Sequence, residues 1–183
     1  MTKGNLQPGL FFDREKVTLL LNINAQGSAF HDVEKVAKQK GLSRKREFHI
    51  TLIGSATGEA IIEKISGSDY KINEKTLSKI QELSKKFNWE FSFQKEYYFI
   101  SKSYSEPGQE NERRQSIIQA IELPNLIVFY KKLNQRLGTN FDTPFPHITL
   151  FTNSTRKDKK LWGIGLYSEK EFYSLKPVKI KLT

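Results

Sequence analysis

Two similar lobes, each built from a strand, a helix and a second strand, make α+β the fold class that the sequence predicts. Three observations carry it. The tetrapeptide His-Ile-Thr-Leu occurs at 49–52 and again at 147–150. The 98 positions that separate His49 from His147 also lay Leu19 on Ile117, Leu20 on Ile118 and Ile23 on Ile121. In both halves the apolar spacing passes from strand to helix and back to strand in the same order. A chain of 183 residues is long enough to bury roughly 70% of its unfolded surface, so 1–183 is read as one domain. Its two pseudo-symmetric lobes would set the repeated tetrapeptides face to face across a groove.

The elements follow in order. Val17, Leu19, Leu21 and Ile23 alternate with Thr18, Leu20 and Asn22, which predicts a strand over 17–23. Ser28 is suited to cap a helix whose stripe is Phe30, Val33 and Val36 or Ala37, and Gly41 to end it. The first repeat strand comes next, and Gly54 to Gly58 after it reads as a turn. Asn73 can cap a helix with Leu77, Ile80, Leu83 or Ser84, and Phe87 on one side. Trp89, Phe91, Phe93, Tyr97 and Phe99 mark one or two long strands. Residues 103–112, with Pro107 and Gly108, read as a polar loop, and 113–123 as a strand. Pro124 fits a first helical turn; Leu126, Phe129, Tyr130, Leu133 and Leu137 form the stripe, and Gly138 ends it. Pro144 and Pro146 predict that the second repeat strand starts beside its proline or lies at a sheet edge. Val178, Ile180 and Leu182 predict a closing strand.

Composition narrows the chemistry. There are no cysteines, which excludes thiolate nucleophiles, disulfides and cysteine-rich zinc sites. That lack, and an N-terminal apolar stretch of only a few residues around Leu19–Leu21, predict a soluble, cytoplasmic protein with no membrane association. Thirty Lys and Arg against 20 Asp and Glu give a net charge of +10, which points to a polyanionic partner. One basic cluster (Lys35, Lys38, Lys40, Arg44, Lys45, Arg46) leads into the first repeat and another (Arg156, Lys157, Lys159, Lys160) follows the second.

The repeats use two of the three histidines. On an extended strand, residues i and i+2 share a face, so His49 stands with Thr51 and His147 with Thr149, over floors of Ile50 and Ile148. A lone strand histidine is ordinarily a buried ring with one hydrogen-bond partner. Two identical His-x-Thr words are hard to explain that way, whereas His31, with no partner word, reads as surface. No histidine pair has metal-ligand spacing and no Gly-x-Ser-x-Gly elbow exists, so neither a zinc site nor a serine hydrolase is expected.

With these words in place, the chain resembles the two-histidine (2H) phosphoesterase superfamily, which includes RNA 2′-phosphodiesterases, once called 2′-5′ RNA ligases, and cyclic phosphodiesterases. The likeness rests on Phe48-His49-Ile50-Thr51-Leu52 and Pro146-His147-Ile148-Thr149-Leu150 and on the strand and helix before each. It implies two antiparallel sheets, helices outside and a central cleft that uses no metal or other cofactor. It also implies a metal-independent phosphodiesterase of a 2′,3′-cyclic phosphate or 2′-linked ester, with RNA or a nucleotide as substrate. His49 and His147 would be the acid and base, and Thr51 and Thr149 would hold the phosphate. An RNA end-joining ligase or a cyclic-oligonucleotide hydrolase would share that site, and a noncatalytic RNA-binding module would use only the positive field. A monomer is expected. Tyr97, Tyr98, Phe99, Tyr104, Trp162 and Tyr167 are candidates to stack a base, and Lys102, Arg113 and Arg114 to touch phosphate, although core or surface roles are the ordinary ones for such residues. The order in which the histidines act depends on the ester and stays open at this level.

Overall fold

The computed structural model describes residues 9–23, 30–66, 73–105 and 112–182. Its strands are β1 (Leu10–Asp13), β2 (Thr18–Ile23), β3 (Ser43–Arg44), β4 (Phe48–Ile53), β5 (Ser92–Tyr104), β6 (Glu112–Glu122), β7 (His147–Ser154) and β8 (Val178–Lys179). Its helices are α1 (Phe30–Gln39), α2 (Ser55–Ile65), α3 (Glu74–Lys85), α4 (Asn125–Leu137) and α5 (Glu169–Ser174). The fold is α+β, as its sequence predicts.

The two sheets implied by the resemblance are joined into one antiparallel sheet of order β1-β2-β4-β7-β6-β5-β8, with β3 also on β7. The physical reason is the apolar pair Ile50 and Ile148, which face each other across β4 and β7 and are fully buried, so each half completes the other's core. This contact is narrow, a single register pair, whereas β6 and β7 pair over seven.

The registers repeat with the sequence. On β2 and β4, Leu20 lies opposite Thr51, Leu21 opposite Ile50 and Asn22 opposite His49. On β6 and β7, Ile118 lies opposite Thr149, Gln119 opposite Ile148 and Ala120 opposite His147. Even the irregularity recurs: Leu19 pairs with Ile53 and Ile117 with Phe151, leaving Leu52 and Leu150 as extra residues directly after the two threonines. Such a bulge bends a strand and lets two successive residues turn inward. Leu52 with Ile53, and Leu150 with Phe151, are accordingly all buried.

One face of the sheet packs Leu19, Leu21, Ile50, Ile117, Ile121 and Ile148 against α1, α3 and α4. A smaller cluster of Ile100, Ile118, Ile164, Leu166 and Phe172 covers part of the opposite face. The rest of that face is the floor of the cleft.

Local chemistry explains most boundaries. Asn73 accepts a hydrogen bond from the Thr76 N–H and starts α3. Gly41 and Gly138, at φ 67° and 62°, take the left-handed conformation that ends α1 and α4. β7 begins directly after Pro146 but is central, because a proline just before a strand removes no ladder donor inside it. Where expectation and structure differ, packing decided. Trp89 lies in a connection, buried by α3 and α4, and its Nε1 donates to Ser84 O at 3.0 Å. Ser103, Tyr104 and Glu112 belong to β5 and β6 rather than to a loop. The closing strand shortens to Val178–Lys179, and Gly54 to Gly58 opens the helix α2. Within α2, Gly58 is steric: a Cβ there would come within 2.3 Å of Lys16 O, so only glycine lets the helix pack on the turn into β2. Ser28 and residues 106–111 lie outside the described residues, as does the side chain of His31.

Candidate active site

The pairing of Ile50 with Ile148 determines the site. In an antiparallel ladder its neighbours face the other side of the sheet, which sets His49 across from Thr149 and Thr51 across from His147. All four side chains line one cleft of about 950 Å³.

His147 is held tightly. It is 8% exposed, and its Nδ1 donates to Phe145 O at 2.7 Å. A carbonyl oxygen only accepts, so Nδ1 carries the hydrogen and the neutral ring keeps its lone pair on Nε2. The Phe145 ring lies against it, 6.2 Å between centroids and 25° between planes, and in turn stacks on Phe172 at 3.9 Å. Burial pushes the His147 pKa down to about 4; the Phe145 carbonyl opposes that shift, and His49 adds to it slightly. His49 is half-buried, and among the described residues its ring has no such backbone anchor. Its pKa is lowered too, first by burial, then by the Lys45 ammonium, against an opposing pull from Glu47.

The cleft walls differ. On the β2 and α2 side are Leu20, Ile53 and Ile62 with the charged Glu15, Lys16 and Glu59, and the first turn of α2, where Ser55, Ala56 and Thr57 line the space and no side chain caps the helix. The other side is aromatic and cationic, with Tyr104, Arg114, Lys159, Trp162 and Tyr167. Here the chain from Trp162 to Tyr167 crosses the sheet face. Thr152 Oγ1 donates to Trp162 O at 2.8 Å, and Arg114 Nη1 donates to Gly163 O at 3.2 Å. A Cβ at Gly163 would sit 3.0 Å from Thr149 Oγ1, so this glycine leaves the threonine hydroxyl room. From below, Lys45 Nζ donates to Leu161 O at 2.8 Å, and burial lowers its pKa.

Of the two basic clusters, only Lys45 and Lys159 line the cleft. Arg114 lines it, whereas Arg113 bonds Ser101 Oγ and Lys102 pairs with Glu171. Tyr104, Trp162 and Tyr167 are at the cleft; Tyr97 is core, Phe99 packs on the main core and Tyr98 packs on Phe172. Phe145 and Gly163 escaped sequence reasoning as functional positions. The signal for Phe145 was its place between two prolines, which fixes the backbone that presents its carbonyl.

Among the described residues, no group of three or more histidine, aspartate or glutamate side chains could hold a metal ion. No described helix is long and apolar enough to cross a membrane. No family model, no curated protein and no solved structure matches this chain.

Proposed function

We propose that the protein is a metal-independent phosphodiesterase that hydrolyses a 2′,3′-cyclic phosphate or a 2′-linked ester of RNA or a nucleotide. The observation that carries this reading is the square of two imidazoles and two hydroxyls on one sheet face, inside a cleft edged by cations. A phosphorus centre between the histidines would have a proton acceptor on one side and a donor on the other.

The tautomer supports a division of labour. His147 presents a bare Nε2 and resists protonation, which suits the base that takes a proton from the attacking water. His49 is less buried and suits the acid that delivers a proton to the departing ester oxygen. The water oxygen bonds to phosphorus as the ester oxygen leaves, and solvent then returns each ring to its starting state. Thr51 and Thr149 donate hydrogen bonds to the nonbridging oxygens, whose charge grows in the transition state. The uncapped first turn of α2 and Lys45 add positive potential at the same place.

A panel of phosphodiesters incubated with the protein in EDTA tests this. Expected is conversion of a nucleoside 2′,3′-cyclic phosphate, or of RNA ending in one, to a monoester. His49→Ala and His147→Ala should each lose roughly 10²- to 10⁴-fold in turnover. Full activity in both variants would falsify the assignment, and tight, salt-sensitive RNA binding with no turnover would favour the binding-module reading.

A further inference from the structure

Trp162 is more exposed than a large aromatic usually is. Among the described large apolar side chains that stand open to solvent, it alone lines the cleft, at 54% exposure. Its position is nevertheless fixed, because its carbonyl is held by Thr152 and the next residue, Gly163, packs on Thr149.

The indole is also backed by cations. The Arg114 guanidinium carbon lies 5.3 Å from its ring centre and Lys159 Nζ lies 5.0 Å away. Arg114 has little freedom: its Nε and Nη2 donate to both oxygens of Glu112 at 2.5 and 3.0 Å, and the Tyr104 ring lies 4.4 Å from the guanidinium. Glu112 is 3% exposed, accepts a further bond from Ser154 Oγ at 2.7 Å, and lies 3.7 Å from Lys159 Nζ. Because this carboxylate offsets the charge of Arg114, the guanidinium serves here as a rigid plane rather than a mobile grip on phosphate. Tyr104, Arg114 and Trp162 thus form a braced aromatic and guanidinium wall beside the threonine of the second repeat.

We infer that Trp162, braced by Arg114 and Lys159, is a stacking platform for a nucleobase of the substrate. The inference rests on the proposed reaction, which puts a nucleotide phosphate beside Thr149. Any nucleobase offers a π face to an indole, so the contact would select an aromatic heterocycle over a bare sugar phosphate without reading base identity. With about 950 Å³, the cleft is at the upper end of what small-molecule sites enclose and has space for a nucleoside next to the phosphate.

Tryptophan emission supplies the test, because the other tryptophan, Trp89, is 1% exposed in the core. Wild type is titrated with adenosine 3′-monophosphate, ribose 5-phosphate and inorganic phosphate, and calorimetry is run in parallel. Saturable quenching by the nucleotide alone is expected. Trp162→Leu should lose the quenching and bind the nucleotide roughly tenfold more weakly, while Trp162→Phe keeps most of the affinity. In turnover of a diester, Trp162→Leu should raise KM and leave kcat within about twofold. Equal binding of the three probes, no nucleotide binding, or wild-type affinity in Trp162→Leu overturns the platform. The binding arm needs no turnover. Nucleotide held on Trp162 without cleavage of any diester defeats the hydrolase reading alone, and cleavage indifferent to Trp162 defeats the platform alone.

Discussion

His49 and His147 occupy equivalent places in two repeated registers, yet their surroundings are opposite. His147 is buried, anchored through Nδ1 and flanked by Phe145, whereas His49 is half-buried beside Lys45 and Glu47. The cleft lining is unlike as well: the β2 and α2 part mixes Leu20, Ile53 and Ile62 with Glu15, Lys16, Glu59 and a helix start, whereas the part from β5, β6 and 159–167 is a braced aromatic and cationic wall. The repeated backbone places two imidazoles symmetrically, and the unrepeated connections make them chemically unlike. General acid and base catalysis gains from that unlikeness, since it biases which ring holds the proton.

The largest expected effect concerns the cost of burying His147. Its folded pKa of about 4 lies below the ordinary 6.5, so protons bind the unfolded chain more readily across that window. Stability is therefore full above pH 6.5, declines as pH falls through it, and stops declining near pH 4 for this group, a loss of about 3 kcal/mol. Urea unfolding at about pH 8 and about pH 4.5 measures it. His147→Ala should flatten most of the decline and His49→Ala less of it; equal declines in wild type and both variants would remove the asymmetry between the rings.

Gly163→Ala is expected to act next most strongly. A methyl group 3.0 Å from Thr149 Oγ1 must displace either the hydroxyl or the 162–167 wall. We expect kcat/KM to drop by roughly tenfold to a hundredfold, with little change in the unfolding midpoint. A variant with wild-type kinetics would mean that Thr149 is not held by that wall. The glycine beside the other threonine is Gly54, whose added Cβ would lie 3.4 Å from Thr51 Cγ2 and 3.3 Å from Tyr167 Cε1, so it would press on the edge of the Tyr167 ring and not on the threonine hydroxyl. Gly54→Ala should therefore be the milder change.

What the sequence disclosed follows from what it repeats. The register of the His-x-Thr strands was legible because an alternating strand over an apolar floor forces Ile50 and Ile148 inward and the four polar groups outward. Helix ends were legible from Asn73, Gly41 and Gly138, whose side chains or lack of them act within one turn. β1, β3 and α5 were not, being short elements, and α2 was not, since it packs through contacts distant in sequence, of which Gly58 on Lys16 O is one. The Glu112 and Arg114 pair was hidden for a similar reason. Two residues apart on a strand they share a face, but the polar run beside them reads as a loop, and only pairing of β6 with β5 and β7 makes it a sheet.

Lys45 tests the smallest part of the contrast. Its ammonium is one cause of the lowered His49 pKa, second to burial, and among the described residues no lysine or arginine acts on His147 in the same way. With His147 as base and His49 as acid, kcat/KM should rise through about pH 4 and decline through a limb below 6.5. Lys45→Met removes the positive neighbour, so His49 should hold its proton to higher pH and the alkaline limb should move up. The acid limb, which belongs to His147, should stay in place. Movement of the acid limb instead would exchange the two roles, because the ring that feels Lys45 would then be the base.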